Sequence, residues 1–449
     1  MKIIIIGGVA AGMTAAAKAI REDKNADITV IEKEDYISFG ACGLPYYIGE
    51  YFDDINRLYS ASIEEMRERG INILSSHEAI DIDFDKKKVL VKSCVEEKEF
   101  ELEYDRLMIA TGGHPFVPKI EGIDAENVFT MTKPYDGKNF KDKLKDYDNI
   151  AVIGGGFIGV EIAEQLSERL GKNVRLYHSR DSLLNRVFDK DMAKGIEEEL
   201  KRVGVEIIYN ERLKDVVTEA GKVTEIITEN RQDKVDAVIL SVGFRPSTDF
   251  ITDERLKKLK NGAIVVDNFG KTSIEDVFSA GDCATVPHKF LGNVNIPLAT
   301  SANKMGKLIG INLVNTDGNL RGDYESVGSS VIKVGELEFA SAGLTEDMAR
   351  NLEIDYKVTT AEIYNHTPYM PNANKIKYKM LYKASDKTFI GAQIYGKNEA
   401  VLRILPFIVA IQEELSADEL NYYDFPYAPP FALAWEGVNT AAGIVAGAK

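Results

Sequence analysis

Two glycine-rich turns, 147 positions apart in register, limit what this chain can fold into. Lys2-Ile3-Ile4-Ile5-Ile6 is a β-branched run that meets Gly7-Gly8-Val9-Ala10-Ala11-Gly12. Such a run bounded by glycine reads as a buried parallel strand. A helix is predicted from Met13 to about Arg21, then a second strand, Ile28-Thr29-Val30-Ile31, ending in Glu32. Strand, glycine turn, helix, strand and an acid about 20 residues on form the dinucleotide fingerprint in its structural context. The glycines let backbone approach a pyrophosphate at the helix N-terminus, and Glu32 is placed to accept from a ribose hydroxyl. Val9 stands where the middle glycine belongs, so this loop must approach its ligand differently. The second turn is complete. Ala151-Val152-Ile153 leads into Gly154-Gly155-Gly156-Phe157-Ile158-Gly159, then a helix carrying Glu161 and a strand Val174-Arg175-Leu176-Tyr177. One such motif can be an ordinary tight turn. Two in one chain point to an oxidoreductase that binds two nucleotides.

The remaining segments sort around these turns. With 449 residues the chain is too long for one core and is expected to form roughly two to four domains. Ser62-Ile63-Glu64-Glu65 reads as a capping box opening a helix through Arg69. Residues 71–110 read as short strands, ending in Leu107-Met108-Ile109-Ala110 before Thr111-Gly112-Gly113. The second unit closes near Val242-Gly243-Phe244-Arg245-Pro246. Thr272 to Asp282 reads as another apolar strand ending in Gly281-Asp282, and 299–314 as an amphipathic helix. From about 326, strand-like segments (329–334, 375–382, 388–395) alternate with helical ones (345–352, 400–414) and no glycine fingerprint appears. The aromatic tail from Tyr422 to Phe431 is too rigid to be disordered and is expected to pack against something. The expected class is α/β, with two Rossmann-like domains and a C-terminal α+β domain. The expected division is 1–114 with 246–325, then 115–245, then 326–449.

Chemistry concentrates in Ser38-Phe39-Gly40-Ala41-Cys42-Gly43-Leu44-Pro45-Tyr46-Tyr47. Cys42 has no cysteine nearby, so a redox role requires it to cycle alone, as a sulfenic acid, a persulfide or a mixed disulfide. A free cysteine is also among the most buried residue types. The three cysteines, at 42, 94 and 283, are too scattered for a disulfide framework or a zinc site and fit a reducing cytoplasm. Cys94 and Cys283 are expected to be structural. A net charge of −16 argues against nucleic acid or an anionic membrane as partner. No apolar run approaches membrane-spanning length.

Taken together, these motifs resemble the pyridine nucleotide–disulfide oxidoreductases along essentially the whole chain. Within them the chain is similar to the single-cysteine group of CoA-disulfide reductases, NADH oxidases and NADH peroxidases. The reductase branch is matched by SFGACGLPYYIG around Cys42, GGVAAG at 7–12 and YAPP at 427–430. The resemblance implies FAD at Gly7, Gly8, Ala11, Gly12, Glu32, Lys33, Thr111, Gly112, Asp282 and Ala299. It implies NADPH or NADH at Gly154, Gly156, Ile158, Gly159, His178, Arg180 and Gly243. It implies CoA, as substrate or mixed disulfide, beside Ser38 and the basic pair Lys18 and Arg21, which share a helix face. It also implies a homodimer in which a tyrosine of the partner chain protonates the leaving thiolate. Tyr427 matches that position and Tyr369 matches a second one less well; tyrosines at such interfaces often only pack.

The departures from the pattern are informative. Ala41 replaces the asparagine common before the cysteine, and Phe431-Ala432 replace tyrosine and serine after YAPP. Ala10 stands where the peroxidase branch carries a histidine, and the C-terminal His-Pro of two-cysteine reductases is absent. After Val174–Tyr177 an acid would favour NADH by pairing with the free 2′-hydroxyl. Here His178-Ser179-Arg180 follow; guanidinium and hydroxyl groups suit a phosphate, so NADPH is expected as a substrate, with NADH also accepted. The competing expectation is a water-forming NADH oxidase cycling through a Cys42 sulfenic acid. A non-enzymatic redox sensor is a third.

Overall fold

A computed structural model describes residues 1–448. The first glycine turn lies on a five-stranded parallel sheet ordered Val277–Ser279, Arg106–Ile109, Lys2–Ile6, Asp27–Ile31, Ile71–Leu74. All four isoleucines at 3–6 are buried in its core. The helix Ala10–Glu22 packs against the helix Ala299–Val314. Glycine permits that approach: a Cβ on Gly306 would lie 2.4 Å from the carbonyl oxygen of Ala11, and one on Gly310 2.5 Å from that of Ala15. An antiparallel sheet of His77–Asp83, Lys88–Ser93 and Glu99–Glu103 adjoins this unit.

The second turn lies on another five-stranded parallel sheet, ordered Glu206–Tyr209, Asn173–His178, Asn149–Ile153, Ala237–Leu240, Val128–Phe129. The chain enters and leaves this unit through two short paired strands, Gly113–Pro115 and Phe244–Pro246. A third sheet is antiparallel and ordered Ser330–Val334, Leu337–Gly343, Phe389–Gly396, Lys375–Lys383, Tyr356–Tyr364. Its Ile332, Val334 and Phe339 share a core with Phe188 and Ile196 of the second unit. Lys379, 2% exposed, bridges the same junction by ion pairs to Asp189 (3.1 Å), Asp191 (2.6 Å) and Glu346 (2.6 Å).

The capping box at Ser62 and Glu65 is formed as the sequence predicts. Several expectations change. The first helix begins at Ala10, inside the glycine motif. Of the stretch Thr272–Asp282 only Val277–Ser279 is strand, because Thr272 N–H donates to the Val277 carbonyl (2.9 Å) and Asp276 takes φ +59° in the resulting turn. The 400–414 segment is a 3₁₀ turn, Ala400–Arg403, followed by the helix Ile404–Gln412. The aromatic tail packs in part: Phe425 lies against the core of the third sheet and Tyr422 touches Trp435 edge to face, while Tyr422 and Phe431 each remain 76% exposed. No helix among the described residues is long and apolar enough to cross a membrane.

Candidate active site

Both turns share one backbone plan. Gly7 N–H donates to the Ile31 carbonyl and Gly154 N–H to the Tyr177 carbonyl, each at 2.8 Å. Both glycines have positive φ, +110° and +114°. A Cβ there would strike the carbonyl oxygens of Ala110 (2.1 Å) and Ser241 (2.3 Å), each one residue past the end of the neighbouring strand. Gly12 and Gly159 close the motif: a Cβ on either would lie 1.9 Å from the carbonyl oxygen of Gly7 or Gly154. The middle positions differ. A Cβ on Gly156 would meet nothing within 4 Å, whereas Val9 already carries a side chain, 37% exposed.

The cysteine segment is fastened to the first turn. Ser38, at φ +54°, donates its N–H to the Gly8 carbonyl (2.9 Å). Phe39 bridges to Tyr59, and Tyr36, Phe39 and Tyr59 pack ring against ring. Cys42 then sits in the short turn Ala41–Gly43 before the helix Leu44–Ile48, which carries Pro45 in its first turn.

One cavity of about 1950 Å³ joins these features. Of the residues singled out in the sequence, its wall includes Gly7, Glu32, Lys33, Cys42, Thr111, Gly112, Asp282 and Ala299, then Gly154, Gly156, Ile158, His178, Arg180 and Gly243. Gly8, Ala11, Gly12 and Gly159 lie behind the wall and shape the turns. Cys42 is exposed to the cavity. The surrounding protein, and then the carboxylates of Glu161 and Asp282, push its thiol above the ordinary value.

Glu161 is the wall residue that sequence reasoning placed on a helix without assigning. Tyr46 donates its hydroxyl to Glu161 Oε1 (3.5 Å), and burial pushes the Glu161 carboxyl up to about 7. The spacing that marks it, an acid two residues after the last glycine of the second motif, is present in the sequence.

Other singled-out residues lie apart. Lys18 is ion-paired to Glu22, and Arg21 is exposed with no hydrogen bond or ion pair among the described residues. Tyr369 and Tyr427 are 72% and 48% exposed and outside the cavity wall. Cys283 is fully buried, its Sγ 3.5 Å from the Ile109 carbonyl. Cys94 is exposed in the turn after the strand Lys88–Ser93 and is outside the cavity wall.

Residues 1–306 match the family described as pyridine nucleotide-disulphide oxidoreductase, and residues 329–437 match its dimerisation domain. The chain belongs to this family. An NADH oxidase of Enterococcus faecalis is 32% identical over 445 residues, covering 98% of each chain. An NAD(P)H coenzyme A polysulfide/persulfide reductase of Pyrococcus horikoshii is 31% identical over 457 residues, covering 99% of this chain and 98% of that one. An NAD-dependent persulfide reductase from A. fulgidus superposes with a TM-score of 0.94 at 33% identity, covering 99% of this chain and 83% of that one.

A member of this family is a flavin-dependent NAD(P)H oxidoreductase, with FAD and NAD(P)H as cofactors. The cavity walls fit both groups. Thr111 Oγ1 is buried, lines the first half and has no hydrogen-bond partner among the described residues. Asp282 lines the same half, its carboxyl raised by burial alone. In the second half the space over Gly156 is open, and His178 and Arg180 line it.

Proposed function

We propose that this chain is an FAD-dependent NAD(P)H reductase of CoA disulfide, or of a CoA persulfide or polysulfide, working through Cys42 alone. The observation that carries the reading is a single thiol opening onto the cavity that both nucleotide turns share. The persulfide reductases among its relatives support the substrate class. When bound, the flavin supplies the transfer of two electrons from the nicotinamide to sulfur. Cys42, as thiolate, attacks one sulfur of the CoA disulfide; a Cys42–S–S–CoA bond forms and one CoA thiolate leaves with the bonding pair. Two electrons then cleave that mixed disulfide, regenerating the Cys42 thiolate and releasing the second CoA. Each departing CoA thiolate takes up one proton.

Glu32, Lys33, Thr111, Asp282 and Ala299 with the first turn are proposed to hold FAD. Gly154, Gly156, Ile158, His178, Arg180 and Gly243 are proposed to hold the nicotinamide nucleotide. Ser38, whose backbone seats the cysteine loop on the first turn, is proposed to contact CoA, with Lys18 and Arg21 the basic candidates for its phosphates. Tyr427, with Tyr369, is assigned the proton to the leaving thiolate across a homodimer; both residues are exposed in the single chain, as a group acting on a partner must be. The division 1–114 with 246–325, 115–245 and 326–449 belongs to the same proposal, as does a cytoplasmic location, which three unpaired cysteines suit.

The relative from Enterococcus faecalis named NADH oxidase favours a second reading, in which oxygen is the acceptor: two electrons and two protons take it to peroxide, peroxide oxidises the Cys42 thiol to a sulfenic acid with release of one water, and two further electrons and two protons return the sulfenic acid to thiol and a second water. Paired assays decide. Release of CoA from its disulfide well above oxygen consumption supports the reductase; the reverse supports the oxidase. Mass spectrometry of protein purified without reductant adds a structural readout, a CoA-sized adduct on Cys42.

A further inference from the structure

The segment 184–187 lies on the cavity wall beside the second turn, and two different units hold it. At one end Leu184, at φ +48°, donates its N–H to the Gly155 carbonyl of the turn (2.9 Å). The other end is fastened to the third sheet. Ser341 donates its hydroxyl to the Val187 carbonyl (2.8 Å). Two residues on, Asp189 N–H donates to Gln393 Oε1 (2.9 Å), and Gln393 Nε2 donates back to Asp189 Oδ2 (2.8 Å). Lys379 Nζ reaches the same Oδ2 at 3.1 Å. An ammonium carries three donors, and Lys379 meets three carboxylates, the others being Asp191 and Glu346 at 2.6 Å each. Gln393 and Lys379 are both buried, and neither is on the cavity wall.

We infer that Lys379 and Gln393 are positioning residues for the nicotinamide nucleotide: through Asp189 they hold the segment 184–187 at the spacing from the second turn that the nucleotide needs. This rests on reading the second turn as the NAD(P)H site. Joining the two units does not require such an anchor, because Phe188 and Ile196 already share an apolar core with Ile332, Val334 and Phe339. A buried ion pair is also a poor source of net stability, since apolar side chains of the same volume often do as well. What the charged and amide groups add is direction. They fix both the backbone N–H and the carboxylate of one residue, two positions past Val187. A wall segment that is already ordered spares the nucleotide the cost of ordering it on binding. The third unit, which carries neither glycine turn, thereby sets the nucleotide affinity of the second.

The test is calorimetric titration of NAD⁺ and of NADP⁺ into flavin-loaded protein, with flavin content and melting temperature recorded for each variant. Lys379→Met is expected to weaken both nucleotides by the same factor, about tenfold, at unchanged flavin content. Gln393→Met leaves Lys379 on Asp189 and is expected to weaken both about threefold. Lys379→Arg restores the charge and is expected to stay within about twofold of wild type. The control is Leu420→Ala, in the third unit's own core; it is expected to lower the melting temperature and to leave both affinities within about twofold. Should Lys379→Met fail to fold, Gln393→Met against Leu420→Ala decides. If the anchor variants lower the melting temperature while both affinities hold, or if Leu420→Ala weakens the nucleotides as much as they do, Lys379 and Gln393 are only structural and the inference is overturned. Gly156→Ala tests the underlying reading separately. If it weakens the nucleotides and the anchor variants do not, the inference alone falls; if it too leaves both affinities unchanged, the second turn is not the nucleotide site and that reading falls.

Discussion

In the first turn the amide of Gly8 meets a carboxylate; in the second the amide of Gly155 meets an imidazole. The backbones around these contacts are equivalent down to the 2.8 Å bonds that seat Gly7 and Gly154. The differences fall where a ligand or a neighbouring unit touches. Val9 puts a side chain at the position where Gly156 of the second turn leaves open space. Two residues past the last glycine, Thr14 is a neutral hydroxyl bound to Asn303 (2.7 Å), whereas Glu161 is a partly buried acid near Cys42 in the cavity wall. Further along the helices Lys18 and Arg21 correspond to Gln165 and Glu168. A nucleotide site that holds its cofactor permanently can be tight and shaped around one ligand. A site that exchanges a substrate nucleotide at every turnover needs an open approach, the role proposed here for the second turn, where a Cβ on Gly156 would meet nothing within 4 Å.

The sharpest way to separate the two halves is to remove the sulfur beside the first. Cys42→Ser is expected to lower disulfide reduction by about a thousandfold or more, while the protein keeps its flavin and NAD(P)H still bleaches it. Residual turnover above a few per cent would show that the electrons leave by a route not involving Cys42.

The next test compares two glycines within the second turn. A Cβ on Gly159 collides with the Gly154 carbonyl at 1.9 Å, so Gly159→Ala is expected to cost about 1–3 kcal/mol of stability and to abolish nucleotide saturation. Gly156→Ala meets no protein atom within 4 Å; its melting temperature is expected to stay at the wild-type value while KM for the nucleotide rises about tenfold. An unchanged KM would mean that the second turn is approached no more closely than the first, where Val9 is tolerated.

The turns themselves were legible because a period-breaking glycine pattern between apolar runs admits few structures. Cys42, Glu32, Thr111, His178 and Arg180 converge on one cavity, and each followed a strand or turn visible in the sequence. One miss, the strand Tyr356–Tyr364, carried its signal in its own Tyr, Val, Thr and Ile residues; the others were held by tertiary contacts rather than local preference. The strand Leu337–Gly343, with its run of Ala, Ser and Gly, has weak intrinsic strand propensity and exists because partners flank it on both edges. The helix Gly437–Gly447 contains three glycines and is carried by burial of Val438, Ala441, Ala442 and Val445. The place of His178 was only half legible: its identity is in the sequence, but its contact with the Gly155 amide is not.

Thr14 and Glu161 give a pH test of the same comparison. Burial raises the Glu161 carboxyl to about 7 from 4.5, so between those values the folded state holds a proton that the unfolded chain has released. Its stabilising contribution is complete below the unfolded value and is lost as pH rises through about 7. Between pH 5 and pH 8 the wild type should therefore lose about 2 kcal/mol relative to Glu161→Gln. Denaturant unfolding at both pH values measures the difference; parallel curves for the two proteins would place Glu161 in contact with water and remove this contrast between the helices.

The smallest expected effect concerns the far ends of those helices. Arg21 is exposed and unpaired among the described residues, whereas Lys18 is partly neutralised by Glu22. The corresponding second helix offers Gln165 and Glu168, so only the first presents a cation to an anionic ligand at this height. An exposed charge contact is worth at most about 1 kcal/mol and is screened by salt. Arg21→Ala is accordingly expected to raise KM for CoA disulfide about threefold at low ionic strength, with kcat unchanged and the difference shrinking above roughly 0.3 M salt. Glu168→Ala on the second helix serves as the control and is expected to leave that KM alone. If Arg21→Ala leaves KM unchanged at low salt, the CoA phosphates lie elsewhere, and the basic end of the first helix is a solvated surface with no counterpart in function.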